Sequence, residues 1–408
     1  MKILLVHNFY RQPGGEDVVF EQERRVLQQH GNEVFVYSRS NQEVDEFSVV
    51  QRLVFVKRLI SSEESKRQLS EILRTQKPDI VHATNTFMMI SPSIYEACRD
   101  ANVPIVQTLQ NYRLLCPAAV LYRGGKVCEE CPNHGLHRGV LHGCYRESRA
   151  MTAAVALMLI THRRRGTWTN SVTAYVAATE FARKKFIDGG LPANKIYVKP
   201  NFVDPDPGER EAPGDYALFV GRLSPEKGVS TLLEAWNQLT NPIPLKIVGH
   251  GPLRKELEVQ AQTYGLPRVS FLGRLDGIDT RTAIKNAAFL VVPSVWYEGF
   301  PMVMTESLAC GTPVVGSRLG AIEEIIDDGR TGLLFSPGAS TDLADKIEWA
   351  WSHPAELTEM GRQARRDYED LYSAEKNYSL LMGIYRRAIE ENAFPLMANS
   401  FGDPQRSP

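Results

Sequence analysis

Apolar residues along this chain fall into short β-branched runs separated by stretches of helical period, and the pattern is played twice. In the first half, strands are expected at residues 2–7, 33–37, 79–82, 104–109, 172–177 and 196–198. Helices are expected between them at 16–30, 63–76, 92–99, 146–165 and 180–187, the first closed by Gly31. Residues 201–215 are rich in proline and acids and read as a linker. The pattern then restarts, with strands at 216–221, 245–249, 269–272, 289–293, 313–315 and 333–335. Helices between and after them are expected at 228–239, 253–264, 280–286, 301–310, 341–351 and 354–368. Such alternation predicts an α/β protein with two mainly parallel sheets, each covered by helices on both faces. The expected domains are 1–200 and 216–370, then a last helix at 371–390 and a disordered tail at 391–408.

Composition adds few restrictions. Of 408 residues, 43% are hydrophobic and 23% charged, as in a soluble globular protein. No apolar run reaches the roughly 20 residues that span a bilayer, and no signal peptide is visible, so the expected compartment is the cytoplasm. The net charge of −1 hides an asymmetry. Residues 1–200 hold 27 Lys and Arg against 19 Asp and Glu, whereas 201–408 hold 20 against 29. A basic half suggests an anionic partner. Residues 153–160 are apolar all round and lead into His162-Arg163-Arg164-Arg165. The favoured expectation is a helix lying on an anionic membrane surface, peripheral on its inner face; the alternative is a core helix with a solvated basic end. Nucleic acid is not expected, because no basic recognition helix with interleaved aromatics and no paired zinc knuckles are present.

Candidate chemistry concentrates in the second half. Glu298-Gly299-Phe300-Pro301 forms a turn after an apolar strand, and Pro301 suits the first position of the helix that carries Glu306. Loops at the carboxyl ends of parallel strands bind ligands, and a helix amino terminus suits phosphate. Gly221-Arg222-Leu223-Ser224-Pro225-Glu226-Lys227-Gly228 follows the first strand of the second half. Arg222 and Lys227 are placed there to neutralise a diphosphate as negative charge grows on it. Gly249 marks a turn into the next helix. In the first half, Pro13-Gly14-Gly15-Glu16 lets backbone amides approach a phosphate or sugar. It is neither a Walker loop nor a dinucleotide fingerprint, which argues against ATPase and dehydrogenase chemistry. His82 and Gln110 close strands, where they can face an acceptor. Cys116, Cys128, Cys131 and Cys144 share one irregular stretch, about 114–146. Four thiolates at ~2.3 Å suit a structural zinc ion, with free or redox-active cysteines as the alternative. Cys98 and Cys310 read as ordinary buried cysteines.

The two glutamates, the Gly-Phe-Pro turn, the Ala-Cys-Gly-Thr-Pro-Val-Val that follows, and the Arg222 to Lys227 motif resemble retaining glycosyltransferases of the GT-B class, glycosyltransferase group 1 or family 4. The resemblance covers about residues 1–390. It implies two Rossmann-like β/α/β domains facing a central cleft, with the last helix crossing back onto the first domain. It also implies that Glu298 holds the donor sugar and Glu306 the ribose of a nucleotide, with Gly299, Phe300, Pro301, Met302 and Val303 lining the site. Arg222 and Lys227 would take the diphosphate. Gly14, Gly15 and Gly249 would approach the donor, and Leu275 would lie beside the base. The family commonly has histidine where this chain has Gln110, which hydrogen-bonds a hydroxyl but takes no proton at neutral pH. His82 either compensates or packs. A similar four-cysteine insertion occurs in one subset of the family. The implied activity is transfer of a sugar, from a UDP-sugar by preference, to a glycan or lipid-linked acceptor in cell-surface polysaccharide synthesis, without a catalytic metal. A sugar-nucleotide epimerase and a catalytically silent GT-B binding protein are the alternatives.

Overall fold

The structure is a computed structural model that describes residues 1–11, 14–46 and 55–400. Pro13 of the Gly-Gly motif and residues 401–408 of the expected tail lie outside the described residues. The chain forms two compact units. The first comprises Met1–Ala119, Glu130–Lys199 and the chain from Tyr378 onward; the second comprises Val120–Glu129 and Pro200–Asn377.

The first unit is a six-stranded parallel sheet. Its strands are β1 (Lys2–Phe9), β2 (Glu33–Ser40), β3 (Ile80–Asn85), β4 (Ile105–Leu109), β7 (Ala174–Ala177) and β8 (Ile196–Val198), in the order β2-β1-β3-β4-β7-β8. Ile3, Leu4, Leu5 and Val6 are all buried, because both sheet faces are covered. The last helix, Ala374–Ser400, runs through residues expected to be tail, and it supplies Leu381, Met382, Ile384, Tyr385 and Ala388 to this core. A buried polar chain fixes it there. Tyr385 Oη lies 2.7 Å from His82 Nδ1, and His82 Nε2 lies 2.6 Å from Thr108 Oγ1. Beside them Lys199 Nζ donates to Glu23 Oε1 at 2.6 Å. Burial works against the charge on Glu23, but Lys199 and His82 outweigh it and hold the carboxyl below its ordinary range.

The second unit repeats the plan. Its sheet has the order β11-β10-β9-β12-β13-β14, built from β9 (Ala217–Val220), β10 (Leu245–Val248), β11 (Val269–Gly273), β12 (Phe289–Val292), β13 (Val314–Ser317) and β14 (Gly332–Phe335), all parallel. Its core runs from Phe219 and Leu233 through Phe289 to Leu343 and Ile347.

Residues 201–215, between β8 and β9, hold no regular element yet are partly packed: Phe202 and Val203 are buried, Arg365 holds Asp206, and Arg210 donates to the carbonyls of Ala287 and Ala288. Proline and acid content marks a chain without regular structure, which here still finds partners on the second unit. In the helix Arg149–Arg164, Val155, Ala156, Met158 and Leu159 are buried in protein, while Ala153 and Leu157 are exposed. Among the described residues no helix is long and apolar enough to cross a membrane. Finally, the cysteine-bearing stretch contains an antiparallel ribbon, β5 (Tyr122–Arg123) with β6 (Lys126–Val127), that the sequence reading passed over. Gly124 and Gly125 turn it with φ of +59° and +81°, as a tight hairpin requires.

Candidate functional site

The candidate donor site lies in the second unit, at the carboxyl ends of β9, β10 and β12. Here the loops touch backbone to backbone. Gly228 adopts φ +68°, and a Cβ on it would lie 1.9 Å from the Pro293 carbonyl oxygen. Gly249, at φ +144°, would place a Cβ 1.8 Å from the Gly221 carbonyl oxygen. Side chains are excluded at both positions, and this is what brings the 221–228 loop against its neighbours. Val295 N donates to the Glu226 carbonyl at 2.9 Å and ties the same loop to the chain after β12.

The tie sets up an ion pair. Lys227 Nζ lies 2.7 Å from Glu298 Oε1, and the Ser294 hydroxyl donates to the same oxygen at 2.6 Å. The Glu298 side chain is only 6% exposed and that of Lys227 is 24%, so the pair sits mostly out of water while one flank of the lysine stays accessible. The Trp296 ring lies beneath the ammonium, 5.6 Å from its centroid. The proposed diphosphate cation and the proposed sugar-binding carboxylate are therefore direct partners. Ser294, missed in the sequence, is legible only as a hydroxyl four residues before the glutamate.

Glu306 lies on the helix Met302–Ala309, which Pro301 caps rather than opens. Burial pushes its carboxyl up to about 7, against the pull of Arg281. Phe300 is buried against Tyr372, with ring centroids 6.1 Å apart. Arg222 is exposed at the end of the same loop as Lys227, and Leu275 is half-buried just beyond β11. Gly299, Met302 and Val303 are half-buried between Glu298 and Glu306.

In the first unit, Gln110 lines a small recess of about 50 Å³ together with Tyr10, Asn85, Phe87, Asn111 and Arg113. Behind its wall lies Glu16, in the first turn of the helix Gly15–Gln29. Asn111 Nδ2 donates to Glu16 Oε1 at 2.8 Å, and the Tyr10 hydroxyl donates to Oε2 at 3.0 Å. Burial pushes the Glu16 carboxyl up, against those two hydrogen bonds. The amide of Gly14 donates to Asp17 at 2.9 Å, so this part of the Gly-Gly motif caps its own helix. Tyr10, Glu16, Asn111 and Arg113 escaped the sequence reading, since a lone acid after two glycines looks like any first-turn acid.

His82 is not beside this recess. The strand β3 runs three residues past it, so the ring is mid-strand and fully buried. Burial drives it down to about 4, and both nitrogens are used by Thr108 and Tyr385. It is a packing residue. Of the four grouped cysteines, the Cys116 and Cys131 thiols are in contact, with Cys144 near enough to act on Cys131 electrostatically. Among the described residues no group of three or more His, Cys, Asp or Glu is disposed to hold a metal ion. Cys98 and Cys310 are buried thiols.

Two family descriptions match the chain, Glycosyltransferase Family 4 over residues 13–207 and Glycosyl transferases group 1 over 205–367. The chain carries glycosyltransferase domains of both kinds. It is 35% identical over 180 residues to a D-rhamnosyltransferase, WbpZ, of Pseudomonas aeruginosa, a stretch covering 44% of this chain and 47% of that protein. It is 32% identical over 193 residues to the phosphatidyl-myo-inositol mannosyltransferase of Mycobacterium leprae, covering 44% and 50%. Each match thus spans about half the length of the curated relative. Among solved structures, Anabaena HepE in complex with UDP superposes with a TM-score of 0.67 at 19% identity, over 94% of this chain and 99% of that one. Sucrose-phosphate synthase from Thermosynechococcus elongatus gives 0.73 at 19%, over 95% and 99%. These place the fold in the GT-B class, with two parallel-sheet α/β domains.

Proposed function

We propose that the protein is a retaining glycosyltransferase that moves a sugar from a nucleotide-sugar donor to a glycan or lipid-linked acceptor. The Lys227–Glu298 pair carries the reading, with Glu306 eight residues on from Glu298. A donor diphosphate meets Lys227 and the exposed Arg222. Glu298, held by Lys227 and Ser294, offers its carboxylate to sugar hydroxyls. Glu306 accepts from ribose hydroxyls. The bond from the sugar C1 to the diphosphate oxygen breaks, and the electron pair leaves on a phosphate that the two cations stabilise. The acceptor oxygen bonds C1 on the same face, and its proton passes to the departing phosphate oxygen. No divalent ion is needed, because the cations and the helix amino terminus supply the positive charge. The solved UDP complex of HepE supports a UDP-sugar donor.

The test is incubation with UDP-, GDP- and ADP-sugars in the presence of EDTA, followed by nucleotide release and by the anomeric configuration of the product. Release from one donor, unaffected by EDTA, with retained configuration, supports the proposal. Inverted product contradicts the retaining mechanism. Interconversion of the donor to its epimer favours the epimerase.

A further inference from the structure

The hairpin Val120–Glu129 lies in sequence among residues of the first unit, yet it groups with the second. Its two ends meet the donor loops at corresponding places. Glu129, at the end of the hairpin, is hydrogen-bonded to the hydroxyl of Tyr297, the residue before Glu298. Burial raises the hydroxyl of Tyr122, at the start of β5, and the nearby Glu226 carboxylate adds to it; Glu226 is the residue before Lys227. Glu226 is itself fixed, with its carboxylate accepting from Ser224 Oγ at 2.6 Å and its carbonyl accepting from Val295 N at 2.9 Å. The hairpin therefore bears on the neighbour of each member of the ion pair.

We propose that this hairpin is a strap that positions the donor-binding ion pair, with Glu129 and Tyr297 as its positioning residues. The inference rests on the donor-site reading above. Lys227 and Glu298 sit on irregular backbone, whose conformation is set only by what each loop touches. The Gly228 approach and the Val295–Glu226 bond hold the loops to each other. Glu129 holds the outer edge of these loops at Tyr297. A donor binds only the fraction of molecules in which Lys227 and Glu298 are correctly placed, so loosening the strap weakens apparent affinity by that fraction. It does not change what the bound complex can do. The strap thus acts on donor affinity, not on turnover at saturation. The tight Gly124-Gly125 turn keeps the hairpin short and its ends in register.

The experiment measures binding of UDP, GDP and ADP by calorimetry, and hydrolysis of the corresponding sugar donor, in wild type and in Glu129→Ala, Glu129→Gln, Tyr297→Phe and the Glu129→Ala/Tyr297→Phe pair. Thermal unfolding is recorded alongside. Glu129→Ala and Tyr297→Phe should each weaken donor binding by about 3- to 10-fold, as for loss of one charged hydrogen bond acting through its neighbour. The rate at saturating donor and the unfolding temperature should stay close to wild type. The double variant should be no weaker than the worse single one, because both remove the same bond. Glu129→Gln keeps an acceptor oxygen and should restore most of the affinity. Wild-type affinity in both single variants, or fully additive losses in the double, overturns the strap while leaving the donor site intact. A wild-type protein that binds none of the three nucleotides overturns the donor-site reading, and the strap with it.

Discussion

Lys227 Nζ stands 2.7 Å from Glu298 Oε1, on loops that leave the ends of two adjacent parallel strands. Removing the lysine takes the cation away from a largely buried carboxylate that Ser294 also holds. Lys227→Ala should lower donor turnover by about 100-fold or more, as for loss of a preorganised charge at a developing anion. It should also cost about 2 kcal/mol of stability, less than for a fully buried pair because the lysine keeps some contact with water. Steady-state kinetics and urea unfolding check the two effects separately.

Glu306 predicts a pH dependence. Its carboxyl is pushed up to about 7 in the folded chain, above the ordinary carboxylate range. Between about 4.5 and 7 the folded state holds more protons than the unfolded state, so this group's contribution to stability falls as pH rises through that window and is flat above it. Ribose hydroxyls bind the ionised form better, so nucleotide affinity should rise with pH through about 7. Titrations at pH 6, 7 and 8 should show the rise, and Glu306→Gln should flatten it.

His82 behaves in the opposite sense. Burial lowers it to about 4, so between about 4 and its ordinary value of 6.5 the unfolded state takes up the proton first. Stability from this group is present above about pH 6.5 and is lost as pH falls through about 4. Tyr385→Phe leaves His82 Nδ1 without its partner and should cost about 1–2 kcal/mol. Because the network is remote from the donor loops in sequence and lies in the first unit, nucleotide affinity should not change. A drop in donor affinity in Tyr385→Phe would show that the network does more than hold the last helix.

The recess in the first unit makes a separate prediction. Glu16, held by Asn111 and Tyr10, lies behind the recess that Gln110 lines. Glu16→Ala and Asn111→Ala should reduce transfer to acceptor by about 10-fold or more while slow donor hydrolysis persists. Equal loss of both activities would move these residues from acceptor binding to support of the fold.

Much of this was readable in the sequence, for a physical reason. Parallel strands buried on both faces must be continuous apolar runs, as at Ile3 to Val6 and Phe289 to Val292, and such runs separated by helical periods leave little doubt of an α/β sheet. Glu298 and the Arg222 to Lys227 loop were legible because each follows such a run, and Glu306 because it lies on the helix that comes next. What was hidden depends on long-range packing. The direct pairing of Lys227 with Glu298 spans 71 residues. His82 looked like a strand end because Thr84 and Asn85 are polar, yet both are buried in β3. The apolar run at 153–160 has the same composition whether it meets lipid or protein. The cysteines share a stretch of chain, but spacing does not say whether their thiols converge.

The central claim is that Lys227, Glu298 and Glu306 form a donor site, and donor hydrolysis tests it most directly. Nucleotide release should be measured for wild type, Lys227→Ala and Glu306→Ala across UDP-, GDP- and ADP-sugars, with folding verified for each protein. Release from at least one donor by wild type, reduced about 100-fold or more in both variants, is the predicted result. Hydrolysis that both folded variants retain at the wild-type rate would contradict the account.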